Sequence, residues 1–177
     1  MPDRRSAAAV ALLLCAALTA CSGDDPPPKP HGDPAPVWNP CDGITPAQAQ
    51  QAFGTTFTID DGEEGDLRCV LTPAEEGGPA LEANYQVFPS GLDAVFSGMG
   101  PLAGETLVVD VAGADDARLV VNAETKSLLI SGFVQNGDLI QTVNLVDPAP
   151  FDRAAGVRGI RRVLAAFSAH AVAEQVE

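Results

Sequence analysis

Seven of the chain's 15 prolines fall between Ser22 and Pro40, in the run SGDDPPPKPHGDPAPVWNP. Proline fixes φ and donates no backbone hydrogen bond, so this run cannot form a helix interior or a central strand and favours extended polyproline II. At ~3.1 Å per residue it spans at most roughly 60 Å. Any core must therefore be built downstream, from residues 41–177, a length that suits one ordinary domain. Apolar residues are 46% of the sequence, enough to supply that core. We read residues 21–40 as a stalk and expect Trp38, the sole tryptophan, to end it by docking on the folded body. A proline-rich ligand for a groove-binding module is the other reading of the run.

Upstream of the stalk, residues 1–20 read as a targeting segment. Arg4 and Arg5 form a positive start, Ala7 to Ala17 is an unbroken apolar run, and Leu18-Thr19-Ala20-Cys21 follows. This resembles the bacterial lipobox, in which an apolar residue and two small residues precede a cysteine that is joined to diacylglycerol before cleavage. The expected lipidation site is Cys21. Cleavage near Ala20 without a lipid is the plain alternative. An uncleaved membrane helix is disfavoured because the apolar run is too short for a ~30 Å hydrocarbon core. The residues after Arg4-Arg5 lack the rest of a twin-arginine export signal.

Charge bounds the partners. The chain holds 24 acidic and 10 basic residues, net −14. A nucleic-acid binder needs the opposite balance, so no nucleic acid is expected. Loss of residues 1–20 would remove Asp3, Arg4 and Arg5 and take the net charge to −15. A body so acidic would be repelled by anionic lipid and stand off the membrane, held by acyl chains worth ~0.8 kcal/mol per buried CH₂.

Of four cysteines, Cys15 leaves with the signal and Cys21 takes the lipid, so Cys41 and Cys69 remain as an even pair in an oxidising compartment. We expect them to form a disulfide, worth roughly 3–4 kcal/mol in the chain-entropy description. Free or reactive thiols are the alternative. Zinc is not expected from two cysteines without a nearby histidine, nor redox catalysis without C-x-x-C.

The body reads as α+β: an antiparallel meander sheet with a short N-terminal helix and a long C-terminal helix packed on one face. Thr45-Pro46-Ala47-Gln48 is a capping box with proline at the first helical position, and Gly54 stops that helix. Strands are expected at 55–59 and 67–71, and Leu81 to Phe88 alternates as a half-buried strand. A short helix over Ser90 to Ser97 should turn Leu92, Val95 and Phe96 inward. Leu107, Val109 and Val111 mark another strand, and three more cover about 117–122, 126–134 and 138–146. Asn136-Gly137 reads as a two-residue hairpin turn. The last helix, Asp152 to Val172, carries an apolar stripe of Ile160, Val163, Leu164, Phe167 and Ala171. Gly156 and Gly159 in it either fray the first turns or allow very close packing.

The order lipobox, proline-rich tether, Pro40-Cys41-Asp42-Gly43-Ile44-Thr45 before a helix ending Phe53-Gly54, a strand with Cys69, the turn Val111-Ala112-Gly113-Ala114-Asp115-Asp116-Ala117 and a C-terminal amphipathic helix resembles the actinobacterial lipoproteins grouped as domain of unknown function 3558. The resemblance covers most of residues 40–173. It implies an envelope lipoprotein and carries over no catalytic residue.

A search for chemistry returns little. His31 lies in the stalk, and His170 lies near a helix C-terminus, where positive charge suits the dipole. No G-x-S-x-G elbow, P-loop or G-x-G-x-x-G is present. Ser90-Gly91 and Ser97-Gly98 read as turns, and Gly98-Met99-Gly100 as a loop. The acidic run Asp60, Asp61, Glu63, Glu64, Asp66 lacks calcium-loop spacing and reads as a solvated loop. No cofactor and no metal are expected.

Arg153, Arg158, Arg161 and Arg162 concentrate basic charge on the last helix. Arg158, Arg161 and Arg162 lie off its apolar stripe. They either balance neighbouring carboxylates or form a docking face for an acidic envelope partner. The sequence thus reads as a lipid-anchored, extracytoplasmic module that binds an envelope protein or small ligand without catalysis, with an accessory or structural role beside another envelope system as the alternative and a hydrolase with a dispersed site as the third reading.

Overall fold

The computed structural model describes residues 39–63 and 67–175. Cys21, Trp38, His31 and the Glu64–Asp66 part of the acidic loop therefore lie outside the described residues.

Asn39, the first described residue, accepts a hydrogen bond from the Cys41 N–H, and Pro40–Gly43 forms one 3₁₀ turn. Helix α1, Pro46–Phe53, begins and ends as its residues dictate. The Thr45 hydroxyl accepts from the Gln48 N–H, Gln48 reaches back to the Thr45 N–H, and Gly54 takes the left-handed conformation at φ 79°.

Seven strands follow: β1 Phe57–Asp60, β2 Arg68–Pro73, β3 Ala80–Val87, β4 Glu105–Val108, β5 Asp116–Ala123, β6 Ser127–Asn136 and β7 Leu139–Pro148. They form one antiparallel sheet in the order β1-β2-β3-β7-β6-β5-β4. The expected meander is thus two meanders, β1 to β3 and β4 to β7, joined where β3 pairs with β7.

Helix α3, Arg153–Ala173, lies on one face of this sheet, its first N–H groups accepted by the Asp152 carboxylate. Ile160, Val163, Leu164, Phe167 and Ala171 are buried, as their spacing requires. Opposite them stand Leu71, Leu81, Leu119, Ile130 and Leu145 from five strands. The helix is seated by close approach rather than frayed: a Cβ at Gly156 would come within 2.7 Å of Leu128 Cδ2, and one at Gly159 would overlap the Phe53 ring of α1.

Cys41 and Cys69 are joined by a disulfide, their Cα atoms 5.1 Å apart, tying the 3₁₀ turn to β2.

Three local expectations are corrected. The hairpin loop is Gly137-Asp138, since Asn136 pairs with Leu139. Asn136 is drawn into the α3 side, donating to Gly113 O at 2.8 Å and Ser168 Oγ at 3.1 Å, and Gly137 takes the positive φ of 55° that the turn needs. The strand expected through Val111 stops at Val108. Beyond it the chain turns inward, where Val111 is buried and Ala112 O accepts from Ser168 Oγ. Ser97, Gly98 and Met99 are not loop but the last turn of helix α2, Gly91–Met99. This third helix lies in the connection from β3 to β4 and packs on the sheet face opposite α3.

Candidate functional site

The two sheet faces differ because alternate residues along each strand point to opposite sides. On the face away from α3, β3 presents Asn84 and Gln86, β7 presents Thr142 and Asn144, β6 presents Ser131 and Phe133, and β5 presents Val120. Helix α2 covers only one end of this face. Leu92 is buried against Phe133 and Ile140, and the Phe96 ring meets Phe133 edge to face at 5.1 Å. The Gln135 side chain holds the start of the helix, accepting from the Leu92 N–H at 2.8 Å. Arg118 of β5 lies 5.1 Å from the Phe96 ring and bridges Asp93 of α2 and Asp116 of β5. Hydrogen bonds to Asp116 and then Asp93 raise its pKa above the usual arginine value, so its charge is fixed and spent.

Past Met99 the chain swings over the sheet as Gly100 to Gly104, with Gly100 at φ 69° and Gly104 at φ 125°. Gly104 passes so close to β5 that a Cβ there would come within 2.6 Å of Val121 O. Between this segment and the sheet lies a cleft of about 480 Å³. Asn84, Gln86, Ser131, Thr142 and Asn144 supply its polar lining, and Met99, Leu102, Ala103, Val120 and Phe133 its apolar lining.

The polar lining is unspent. The one hydrogen bond within it runs from Ser131 Oγ to Asn144 Oδ1 at 2.7 Å, which leaves the Asn144 NH₂ as donor. Among the described residues nothing accepts from or donates to the side chains of Asn84, Gln86 or Thr142, although Asn84 and Thr142 are half-buried. No described residue of the cleft is charged. Arg68, which stands opposite Asn84 across β2 and β3, pairs with Glu82 at 3.2 Å, and the pair is neutral. These residues can hold and orient a ligand. They include no nucleophile paired with a base.

Sequence reading missed this site. It took Leu81 to Phe88 as a half-buried strand, whose alternation leaves Asn84 and Gln86 on the outward side, and drew no site from them. The available signal was that several outward faces carry amides and hydroxyls instead of the charges typical of solvent-facing strands.

Of the arginines singled out from the sequence, Arg153 pairs with Glu105, and Arg158, Arg161 and Arg162 sit on the outer side of α3, all three exposed. Two are anchored. Arg162 Nη1 donates to Gln51 O at 2.8 Å and Arg161 Nη2 to Asp110 O at 3.3 Å. With Arg158 they border a shallow hollow floored by Val111, Ala112 and Ala165. Among the described residues no three His, Cys, Asp or Glu side chains group as a metal site, and no helix is long and apolar enough to cross a membrane.

Searches of family models, curated proteins and solved structures return no match to this chain.

Proposed function

We propose that this chain is an exported envelope lipoprotein, anchored through Cys21 and carried on its proline-rich stalk, that binds a small ligand in the cleft beneath residues 99–103 without transforming it. The observation that carries the reading is the cleft itself, in which Asn84, Gln86, Ser131, Thr142 and Asn144 converge beside an apolar wall and, apart from the Ser131–Asn144 bond, have no side-chain partner among the described residues. Small-ligand sites are concave, with apolar walls and a few convergent polar groups that fix orientation, and this cleft has that composition. The Leu18-Thr19-Ala20-Cys21 motif and the likeness to the lipoproteins of domain of unknown function 3558 support the anchor. The Cys41–Cys69 disulfide supports an oxidising compartment outside the cytoplasm.

A second reading is an accessory role in which the α3 arginines dock an acidic envelope partner. The hollow beside Arg158 favours it, and the two guanidinium groups already bound to Gln51 O and Asp110 O weigh against it.

The test is retention of small molecules. Protein immobilised and washed with native envelope extract should keep a compound, identified by mass spectrometry, that Ser131→Trp does not keep. Equal retention by both would remove the cleft as the binding site.

A further inference from the structure

Resting on the cleft as the binding site, we propose that its ligand is an uncharged, hydroxyl-rich molecule, a neutral saccharide of one or two rings. Four features of the cleft point there. The first is charge. Among the described residues the cleft has no charged lining, Arg118 is committed to Asp116 and Asp93, and Arg68 to Glu82. Nothing remains to neutralise a carboxylate or phosphate, and a chain of net charge −14 repels anions.

The second is hydrogen bonding. Asn84, Gln86 and Asn144 each carry a primary amide, and Thr142 and Ser131 each a hydroxyl. An amide offers a donor and an acceptor side by side, as do neighbouring hydroxyls on a sugar ring. Ser131 orients Asn144 by donating to its Oδ1. The third is shape. Met99 and Leu102 form an apolar wall against which the C–H face of a ring can lie while its hydroxyls meet the amides.

The fourth feature decides against a peptide. Sheets usually capture peptides by adding a strand at a free edge. Here β3, β7 and β6 are each paired on both sides, so the cleft floor has no free backbone to offer. Recognition must come from side chains alone, which suits a compact polyol.

The test is saturation-transfer difference NMR on the full-length protein in detergent. The probes are maltose, cellobiose and lactose, with free glucuronate and the neutral peptide acetyl-trialanine amide beside them. We expect transfer to at least one disaccharide and weaker transfer to glucuronate and the peptide. The Asn84→Leu/Thr142→Val pair should weaken disaccharide binding about 10-fold or more, the scale of one to two lost hydrogen bonds. Ser131→Ala, a milder change, should weaken it less while keeping the wild-type thermal midpoint. Disaccharide binding unchanged in both variants would overturn the proposal. So would stronger binding of glucuronate. If the peptide alone binds and both variants weaken it, the saccharide class falls and the cleft stands as the site. If no disaccharide binds while the wild type still retains from envelope extract a compound that Ser131→Trp does not keep, the ligand class again falls alone.

Discussion

Gly159 shows how a single hydrogen atom in place of a methyl sets the position of the longest helix. On an exposed helix, glycine to alanine gains about 1 kcal/mol from propensity. Here the added Cβ would overlap the Phe53 ring, so Gly159→Ala should destabilise the chain by about 1–3 kcal/mol, the usual cost of overpacking. Denaturant unfolding measures this. The cost should fall when Phe53→Leu is present as well, because the clash is with the ring. Additive losses would place the strain elsewhere.

Asp147 offers a second measurement at this scale. Burial raises its pKa above the ordinary aspartate value. The folded state therefore holds the proton more tightly than the unfolded state. The resulting penalty is absent below the unfolded value and grows as pH rises through the folded one. Asp147→Asn keeps the shape and cannot ionise. Its thermal midpoint should exceed that of wild type at neutral pH, and the difference should vanish by about pH 3. A difference independent of pH would assign the effect to something other than this carboxyl.

At the scale of elements, α3 has two unlike sides, and the arginine substitutions separate them. The expectation that Arg158, Arg161 and Arg162 are exposed holds, but Arg162 ties α3 to the end of α1 and Arg161 ties it to the turn before β5. Arg158→Gln alone should therefore be neutral within ~0.5 kcal/mol. The triple change to glutamine should cost about 1–2 kcal/mol, since hydrogen bonds at solvent-exposed positions contribute modestly. Phe167→Ala, which empties a fully buried site, should cost about 3–5 kcal/mol. Equilibrium unfolding of the three variants checks the order. A triple variant as unstable as Phe167→Ala would mean that the arginines are integral to the packing of α1 on α3.

Across the whole molecule, two cysteine chemistries have separate jobs. The Cys41–Cys69 bridge joins the start of the body to β2. Thiol labelling without reductant should find neither cysteine free, and reduction should lower stability by roughly 3–4 kcal/mol. Full labelling at both positions would refute the bridge. Cys21 is the proposed lipidation site. Cys21→Ala should release the protein from membranes or leave unprocessed precursor, as membrane fractionation and mass spectrometry of the N-terminus would show. A mature wild-type N-terminus carrying no lipid would remove the anchor.

Much of this architecture was legible in order along the chain, because local rules govern it. The Thr45–Gln48 capping box, the Gly54 stop, the alternation of Leu81 to Val87 and the α3 stripe each depend on residues a few positions apart. The pairing of Cys41 with Cys69, 28 residues apart, was legible for another reason, as the two cysteines left once Cys15 and Cys21 were read as belonging to the signal and the lipid. Strand order was not legible, since the β3–β7 pairing that joins the two meanders links segments far apart in sequence. Nor was the fate of Asn136, which a buried bond to Ser168 pulled out of the turn. The cleft was the least legible feature of all. Asn84, Ser131, Thr142 and Asn144 are ordinary polar residues on their own strands. They become one uncharged surface only because antiparallel register sets them side by side and α2, pinned by Arg118 and Phe96, shelters one end of that face and leaves the rest open.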